Sequence, residues 1–255
     1  MELKDLKLVD LSQPWSVLTP PWPTYPAPSV RFIKRLSEHK VNGQEIKTSL
    51  HVGTHLDAPL HFISSGEDVA SISLERLFGE AAIVDISDSV GEYEIYEPKH
   101  IIEKVEVKEG DILIIHTGFH HYAWYEKGAD EVAYFCKHPG PHIEFAKWAL
   151  KMKLKWIGVD CGSADHPMNT IIRKIRPDLA KECEEKLGNP LEEIFPTKYY
   201  QLMHTMLFPH GIIHAENLGG DIDKVLNRRA VVGCFPWKFQ GGEAAFCRIV
   251  AFVEE

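Results

Sequence analysis

The chain contains the stretch HVGTHLDAPLHF at residues 51–62, which holds three histidines and one aspartate. Imidazole nitrogens and carboxylate oxygens are ligands that zinc, manganese and similar divalent ions accept. Gly53 and Pro59 disfavour a helix, so we predict a strand end that runs into a tight turn. Such a turn would bring His51, His55 and Asp57 together, and we predict that these three residues bind a divalent metal ion.

His61 lies four residues after Asp57 and is not needed as a fourth ligand. An imidazole ordinarily titrates near neutral pH, so it suits the transfer of a proton from a metal-activated water. We therefore predict that His61 is a catalytic general base.

The composition predicts one globular domain over residues 1–255. Hydrophobic residues make up 44% of the chain and charged residues 25%, and 255 residues suffice for a substantial core. The net charge of −9 disfavours nucleic-acid binding, which uses basic surfaces. We also expect a cytoplasmic protein away from membranes. The charged N terminus lacks a signal peptide's apolar core, no apolar run would span a bilayer, and the five cysteines form no C-x-x-C pair.

The spacing H-x-G-T-H-x-D-x-P-x-H-F resembles the signature of the metal-dependent cyclase family, which includes bacterial kynurenine formamidases and isatin hydrolases. The resemblance implies that His51, His55 and Asp57 hold a first ion and that His61 transfers protons. It also implies a homo-oligomer, either a homodimer or a homotetramer. The resemblance extends from Asp10 to about Ala251.

A second group of polar residues lies at residues 204–218. The resemblance implies that a histidine and a glutamate twelve residues apart complete a second metal site in dinuclear members, and His204 and Glu216 have that spacing. Asp57 would then bridge the two ions. His214 shares a strand face with Glu216 and is a rival ligand. One or two ions, zinc or manganese, are compatible with the sequence.

Three aromatic residues are candidates for substrate binding. Trp22 and Tyr25 lie in the proline-rich segment 20–28, which is either a surface connector or a stiff rim of the site. Its P-x-W-P opening resembles the start of family members. Phe119 follows a buried strand and is the third candidate.

The hydrophobic patterns predict a mixed α/β domain with a partly barrel-like β core surrounded by helices, and the resemblance implies the family's swivelling β/α fold. The alternation of strand, helix and strand implies parallel pairing. A two-residue turn at Asn42-Gly43 is predicted to join a hairpin that feeds directly into His51. Strands are predicted at 8–12, 29–36, 45–50, 81–86, 111–116, 156–160, 230–235 and 246–253, and helices at 72–78, 98–105, 144–153 and 178–187.

Three histidines, His116, His120 and His121, come at the end of a predicted buried strand, where sites in α/β sheets often lie. The family pattern favours a pocket-lining turn over a metal site for them. Asp165 and His166 are also predicted to line the pocket. The charged segment 168–197 departs from the family pattern and is predicted to cap the site or to form an interface.

These residues predict a metal-dependent hydrolase that cleaves the C–N bond of an amide or cyclic amide. The resemblance implies a small-molecule substrate of the N-formylkynurenine or isatin type. One alternative is a cyclase or lyase that acts without adding water. The other is a metal-binding or ligand-binding protein without catalysis, although His61 would have no role there.

Overall fold

The chain forms twelve strands and eight α-helices within residues 6–254, which are the residues that this computed structural model describes. The strands are β1 (Leu6–Asp10), β2 (Ser29–Lys34), β3 (Gly43–Lys47), β4 (His55–Asp57), β5 (Phe78–Asp85), β6 (Ile95–Tyr96), β7 (Ile112–His116), β8 (Gly140–Pro141), β9 (Trp156–Val159), β10 (Ile213–Glu216), β11 (Arg228–Pro236) and β12 (Ala244–Glu254). The helices are α1 (Leu36–His39), α2 (Leu74–Leu77), α3 (Pro98–Ile102), α4 (Ile143–Met152), α5 (Ile172–Ile175), α6 (Pro177–Leu187), α7 (Leu191–Ile194) and α8 (Leu202–Leu207).

Seven strands close into a barrel in the order β12-β11-β5-β7-β9-β10-β4, because β4 pairs back onto β12. The length of β12, 11 residues, makes the closure possible. One side of β12 pairs with β11, and its other side pairs with β4 near its start and with β1 near its end. The predicted α/β fold with a barrel-like core is confirmed.

Alternation along the strands divides the core into two layers. Ile112 and Ile114 belong to the inner core inside the barrel, whereas Leu113 and Ile115 belong to the outer core beneath the helices. Helix α4 contributes apolar side chains such as Phe145 to that outer core. The amphipathic pattern predicted for residues 144–153 is therefore the face that covers the barrel.

Four neighbouring strands, β5, β7, β9 and β10, run parallel, so their carboxyl ends lie along one edge of the barrel. Strand β4 runs antiparallel to β10, and its first residue, His55, pairs with Glu216 at the end of β10. Polar residues at the ends of separate strands are thereby collected on one side of the molecule, as is usual for α/β sheets.

The prediction of a two-residue hairpin turn at Asn42-Gly43 is wrong. Gly43 pairs with Lys34 inside the two-stranded sheet of β2 and β3, and residues 35–42 form the connection. The side chain of Asn42 accepts a hydrogen bond from the backbone N–H of Leu36 at 3.1 Å, which closes this longer loop.

The histidine stretch is also placed differently from the prediction. The sheet of β2 and β3 is separate from the barrel, and β3 ends at Lys47 rather than feeding into His51. The tight turn precedes the strand: Gly53 has a φ of 68°, a conformation that favours glycine, and β4 follows it. The turn therefore orients His51 beside a rigid barrel strand.

The segment 168–197 contains three short helices, α5, α6 and α7, where one was predicted. Apolar residues of the segment, including Ile172 and Phe195, pack with Tyr134 and Phe135 in a third buried cluster. Every helix within the described range 6–254 is too short or too polar to cross a bilayer.

Candidate metal centre

The first donor set, which we define as His51, His55 and Asp57, is almost fully buried on the outer face of the barrel. Alternation along β4 directs Leu56 into the inner core and leaves its two neighbours on the opposite face. His51 Nδ1 lies 3.0 Å from His55 Nε2, and these nitrogens lie 3.2 and 3.3 Å from the same oxygen, Asp57 Oδ1. Two ligands of one tetrahedral zinc ion are about 3.4 Å apart, so this spacing fits one shared ion.

The partners of the two imidazoles determine which nitrogens face each other. His55 Nδ1 donates to the backbone carbonyl of Gly53 at 2.8 Å, and His51 Nε2 donates to Glu243 Oε2 at 2.9 Å. In those tautomers His51 Nδ1 and His55 Nε2 both carry lone pairs. The 3.0 Å separation of these nitrogens therefore suits a positive charge between them, either a proton carried by His51, whose pKa is raised, or a metal ion. The first donor set therefore requires a positive charge at its centre.

Asp57 gives an independent indication of a cation site. Its side chain is 1% exposed, yet neither carboxylate oxygen has a hydrogen-bond partner within residues 6–254. A buried charge is costly unless it is paired or bound to a metal. Burial would raise the pKa of Asp57, but the imidazoles of His51 and His55 hold it well below its usual value. The carboxylate is thus ionised and available as a ligand.

We define the second donor set as His204, Glu216 and the remaining oxygen of Asp57. It is looser than the first, because the group spaced to share an ion here is Asp57, His61 and His204, without Glu216. His204 Nε2 lies 3.6 Å from Asp57 Oδ2 and 3.9 Å from Glu216 Oε1. Asp57 therefore directs Oδ1 to the first donor set and Oδ2 to the second, which is the arrangement of a bridging carboxylate. Glu216 Oε2 also lies 3.7 Å from His55 Nε2.

Neighbouring residues hold the second donor set in position. His204 Nδ1 donates to Asp165 Oδ2 at 2.6 Å, which leaves Nε2 directed at Asp57. Glu216 Oε1 accepts from the backbone N–H of Ala164 at 2.7 Å, which leaves Oε2 as the oxygen without this backbone partner. Such outer partners fix the orientation of metal-binding side chains.

The protonation of this site reflects its excess of negative charge. Burial would lower the pKa of His51, but Asp57 and Glu243 raise it to about 11. Burial would likewise lower the pKa of His204, but its hydrogen bond to Asp165 and the nearby carboxylate of Asp57 raise it to about 10. Burial and the charge of Asp57 raise the pKa of Glu216. The carboxylates around His51 and His204 therefore favour positive charge in this site.

His61 lies beside the first donor set, with its ring centre 4.3 Å from that of His51. Its Nδ1 lies 2.6 Å from Glu243 Oε2, so one carboxylate contacts both imidazoles. Burial would raise the pKa of Glu243, but these contacts lower it to about 2. The sequence reasoning missed Glu243, because it lies 192 positions after His51 and no motif marks it.

A cavity of about 270 Å³ opens onto both donor sets. Trp22 and Tyr25 line it, together with Phe62 and Tyr200. The ring of Tyr25 is stacked on His51, with centres 5.3 Å apart and planes 11° apart. The proline-rich segment thus forms a wall of the site rather than a remote connector.

Phe119 is not brought to this cavity. It is 5% exposed and packs in the outer core, because its turn folds under the helices instead of toward the donor sets. His214 is buried opposite Asp57 on β10, and neither of its ring nitrogens has a hydrogen-bond partner in the described chain. It belongs to none of the groups there that are spaced to share an ion.

The other predicted pocket residues also lie elsewhere. His116, His120 and His121 lie along the same barrel edge but are absent from the cavity wall. Asp165 acts from behind His204, and His166 is buried, with its Nε2 donating to the backbone carbonyl of Tyr93. In segment 168–197, Ile171 does reach the cavity wall.

Comparison with known proteins gives a consistent result. Residues 9–166 match the Cyclase family. The chain is 30% identical to the kynurenine formamidase of Bacillus cytotoxicus over 167 residues, which cover 64% of this chain and 72% of that protein. It is 29% identical to the kynurenine formamidase of Erythrobacter litoralis over 200 residues, which cover 77% of this chain and 85% of that protein.

Solved structures share the fold. Isatin hydrolase A from Labrenzia aggregata, bound to benzyl benzoate, superposes with a TM-score of 0.78 at 18% identity and covers 99% of this chain and 95% of that one. An isatin hydrolase bound to the product analogue thioisatinate also gives a TM-score of 0.78 at 20% identity. The match covers 99% of this chain and 94% of that one.

Proposed function

Because the chain belongs to the Cyclase family, we propose that it is a metal-dependent hydrolase that cleaves the C–N bond of an amide or cyclic amide. The resemblance inferred from residues 51–62 is confirmed by the family match. One observation carries the proposal: His51 Nδ1 and His55 Nε2 lie 3.0 Å apart and 3.2 and 3.3 Å from Asp57 Oδ1, an oxygen without a hydrogen-bond partner in the described chain.

The first donor set would hold a divalent ion. A zinc or manganese ion bound there supplies the Lewis acidity that makes water a nucleophile near neutral pH. The second donor set supports a second ion, because the two oxygens of Asp57 face different ligands. We therefore propose two ions per chain.

His61 acts as the proton carrier in this proposal. Glu243 contacts His61 Nδ1, so in this proposal the other ring nitrogen takes a proton from the attacking water. The same imidazolium can then return that proton to the leaving nitrogen. Glu243 is a positioning residue, since it holds His61 and His51 in one arrangement.

The cavity favours a small aromatic substrate. Its volume of about 270 Å³ fits a single aryl group, and Trp22, Tyr25 and Phe62 offer apolar ring faces. The curated relatives are named kynurenine formamidases. We propose an arylformamidase-like activity on an aryl formamide or a cyclic amide of the isatin type.

Assembly into a homodimer or homotetramer is part of the proposal. The sheet of β2 and β3 exposes apolar side chains, with Phe32 42%, Ile33 53% and Ile46 52% exposed. Exposed apolar patches of this kind mark protein contacts.

The test is a panel of aryl formamides and cyclic imides, assayed in ¹⁸O-labelled water with chelated and with zinc- or manganese-reconstituted protein. We expect turnover only after reconstitution, with one ¹⁸O atom in the carboxylate product. Turnover without label would indicate a lyase or cyclase. Metal binding without turnover on any amide would indicate a non-catalytic protein.

A further inference from the structure

A second group of metal-binding side chains lies outside the cavity. We define the His116 cluster as His116, His120, His121 and Asp223, whose potential ligand atoms all lie within 4.8 Å of one another. The cluster lies where β7 ends, whereas the first and second donor sets lie where β4 and β10 meet. None of its members lines the cavity.

Two carboxylates orient the buried imidazoles of the cluster. Asp85 Oδ1 accepts from His116 Nδ1 at 2.8 Å, and Asp160 Oδ2 accepts from His120 Nδ1 at 3.1 Å. Both Nε2 atoms then face Asp223, at 3.2 Å from Oδ1 for His116 and 3.4 Å from Oδ2 for His120. A carboxylate behind the imidazole of a metal-binding histidine is the usual outer-shell arrangement.

The Nε2 atom of His116 has no hydrogen-bond partner within the described chain, although the residue is only 3% exposed. Its 3.2 Å contact with Asp223 is therefore close without being a hydrogen bond. Two ligands of one tetrahedral zinc ion have about this separation, roughly 3.4 Å. The buried nitrogen is thus directed at a position that an ion would fill.

The remaining two members leave a route from solvent. The side chain of His121 is 57% exposed and that of Asp223 is 49% exposed, with His121 Nε2 3.8 Å from Asp223 Oδ2. An ion can therefore reach the buried nitrogens without unfolding of the barrel edge.

We propose that the His116 cluster is a structural site for a zinc-class divalent cation. Three imidazoles and one carboxylate provide the four ligands of a closed tetrahedral site. Nitrogen ligands favour zinc over magnesium or calcium, which prefer oxygen.

The position of the site indicates its role. His116 is the last residue of β7, and His120 and His121 lie in the following turn Phe119–Tyr122. The fourth ligand belongs to the turn Ile222–Val225 beyond β10. Asp223 is 103 positions from His120, so an ion there would join two distant connections on one edge of the barrel. An ion that binds the folded chain but not the unfolded chain stabilises the folded state.

The test counts zinc ions per chain after chelation, reloading with Zn²⁺ and removal of the excess. The variant combines His121→Ala and Asp223→Asn, two half-exposed side chains on which the core does not depend. Asp221→Asn is the matched control, because this exposed aspartate lies two positions away and pairs with Lys224 instead.

We expect the double variant to hold one zinc ion fewer per chain than both the parent and the control. Equal zinc content in all three would overturn the proposal. If the double variant misfolds, His121→Ala alone should raise the Kd of one zinc ion by about tenfold or more. An unchanged set of zinc affinities would then overturn the proposal.

Discussion

At the residue scale, Asp57 is the residue on which both donor sets depend. Its two oxygens face the imidazoles of His51 and His204, and neither oxygen has a hydrogen-bond partner in the described chain. Buried polar groups are normally satisfied, so this exception favours a site that a cation completes. We propose that metal binding offsets the cost of burying this carboxylate.

The first residue-scale prediction concerns the proposed base. His61→Ala should keep the bound metal and lower kcat by about 10²–10⁴-fold, because the first donor set does not contain His61 while proton transfer does. Metal content and steady-state kinetics on an aryl formamide measure the two effects. His39→Ala, at a half-exposed site, is the control. Full activity in the His61 variant would remove this residue from the mechanism.

The second prediction concerns Glu243, which contacts His51 and His61 through one oxygen. Glu243→Gln preserves the shape but removes the charge that orients both imidazoles. We expect metal affinity to fall by about 10-fold or more, as for other outer-shell partners, and kcat to fall as well. Glu45→Gln, whose partner Arg31 is on the exposed hairpin, should change neither. A loss of kcat with unaltered metal affinity would show that Glu243 acts on His61 alone.

The third prediction concerns acid stability. Burial lowers the pKa of His138 from 6.5 to about 4, and its Nδ1 donates to the carbonyl of Pro139. The unfolded chain therefore binds a proton more readily than the folded chain between these values. The contribution of His138 is complete above pH 6.5 and decreases as the pH falls toward 4, by about 3 kcal/mol in total.

Urea unfolding of chelated protein between pH 4 and 7 measures this effect. His138→Gln keeps an N–H donor but does not titrate, so the free energy of unfolding of the variant should depend less on pH. An identical pH dependence in both proteins would contradict the assignment.

At the element scale, the turn before β4 places the first donor set. Gly53 has a φ of 68°, and a Cβ there would lie 3.2 Å from Trp15 Cδ1 and 3.3 Å from Thr19 Cγ2. Gly53→Ala should cost about 1–2 kcal/mol of stability and weaken metal binding, because His51 would shift relative to β4. Denaturant unfolding and metal titration measure both effects.

Gly188 offers a matched control. It also has a left-handed φ, 72°, at the end of α6, but nothing lies within 4 Å of an added Cβ. Gly188→Ala should therefore lose stability by about 1 kcal/mol and leave metal binding unchanged. Equal metal affinity in the two variants would show that the turn does not position His51.

The elements that the sequence predicted best are those with strong apolar patterns. The runs that became β5, β7 and β9, and the amphipathic face of α4, were identified because burial imposes a regular spacing of side chains. The hairpin connection was wrong because the side chain of Asn42 accepts a hydrogen bond six residues away, a contact that short turn patterns do not encode.

The candidate site divides in the same way. His51, His55 and Asp57 are close in sequence, so their spacing alone predicted that they converge. Glu243 and Asp223 reach their clusters only through closure of the barrel and lie far away along the chain. Single residues of this kind carry no local signal, and they became visible only when β12 and the connection after β10 were placed.

At the scale of the whole molecule, closure of the barrel positions every proposed ligand. The pairing of β1 with β12 joins the two ends of the described chain, which supports our proposal that residues 1–255 form one domain. The carboxyl ends of the parallel strands β5, β7, β9 and β10 form one edge of the barrel. The His116 cluster lies toward one end of this edge, and the two donor sets that share Asp57 lie toward the other. We propose that the end with the donor sets carries out catalysis and that the other stabilises the edge.

The most direct test is an anomalous-scattering map of zinc-loaded crystals, measured above and below the zinc absorption edge. The account predicts a peak about 2.0–2.2 Å from His51 Nδ1, His55 Nε2 and Asp57 Oδ1. Imidazoles turned away from one another, with no peak among them in protein that still hydrolyses amides, would contradict it.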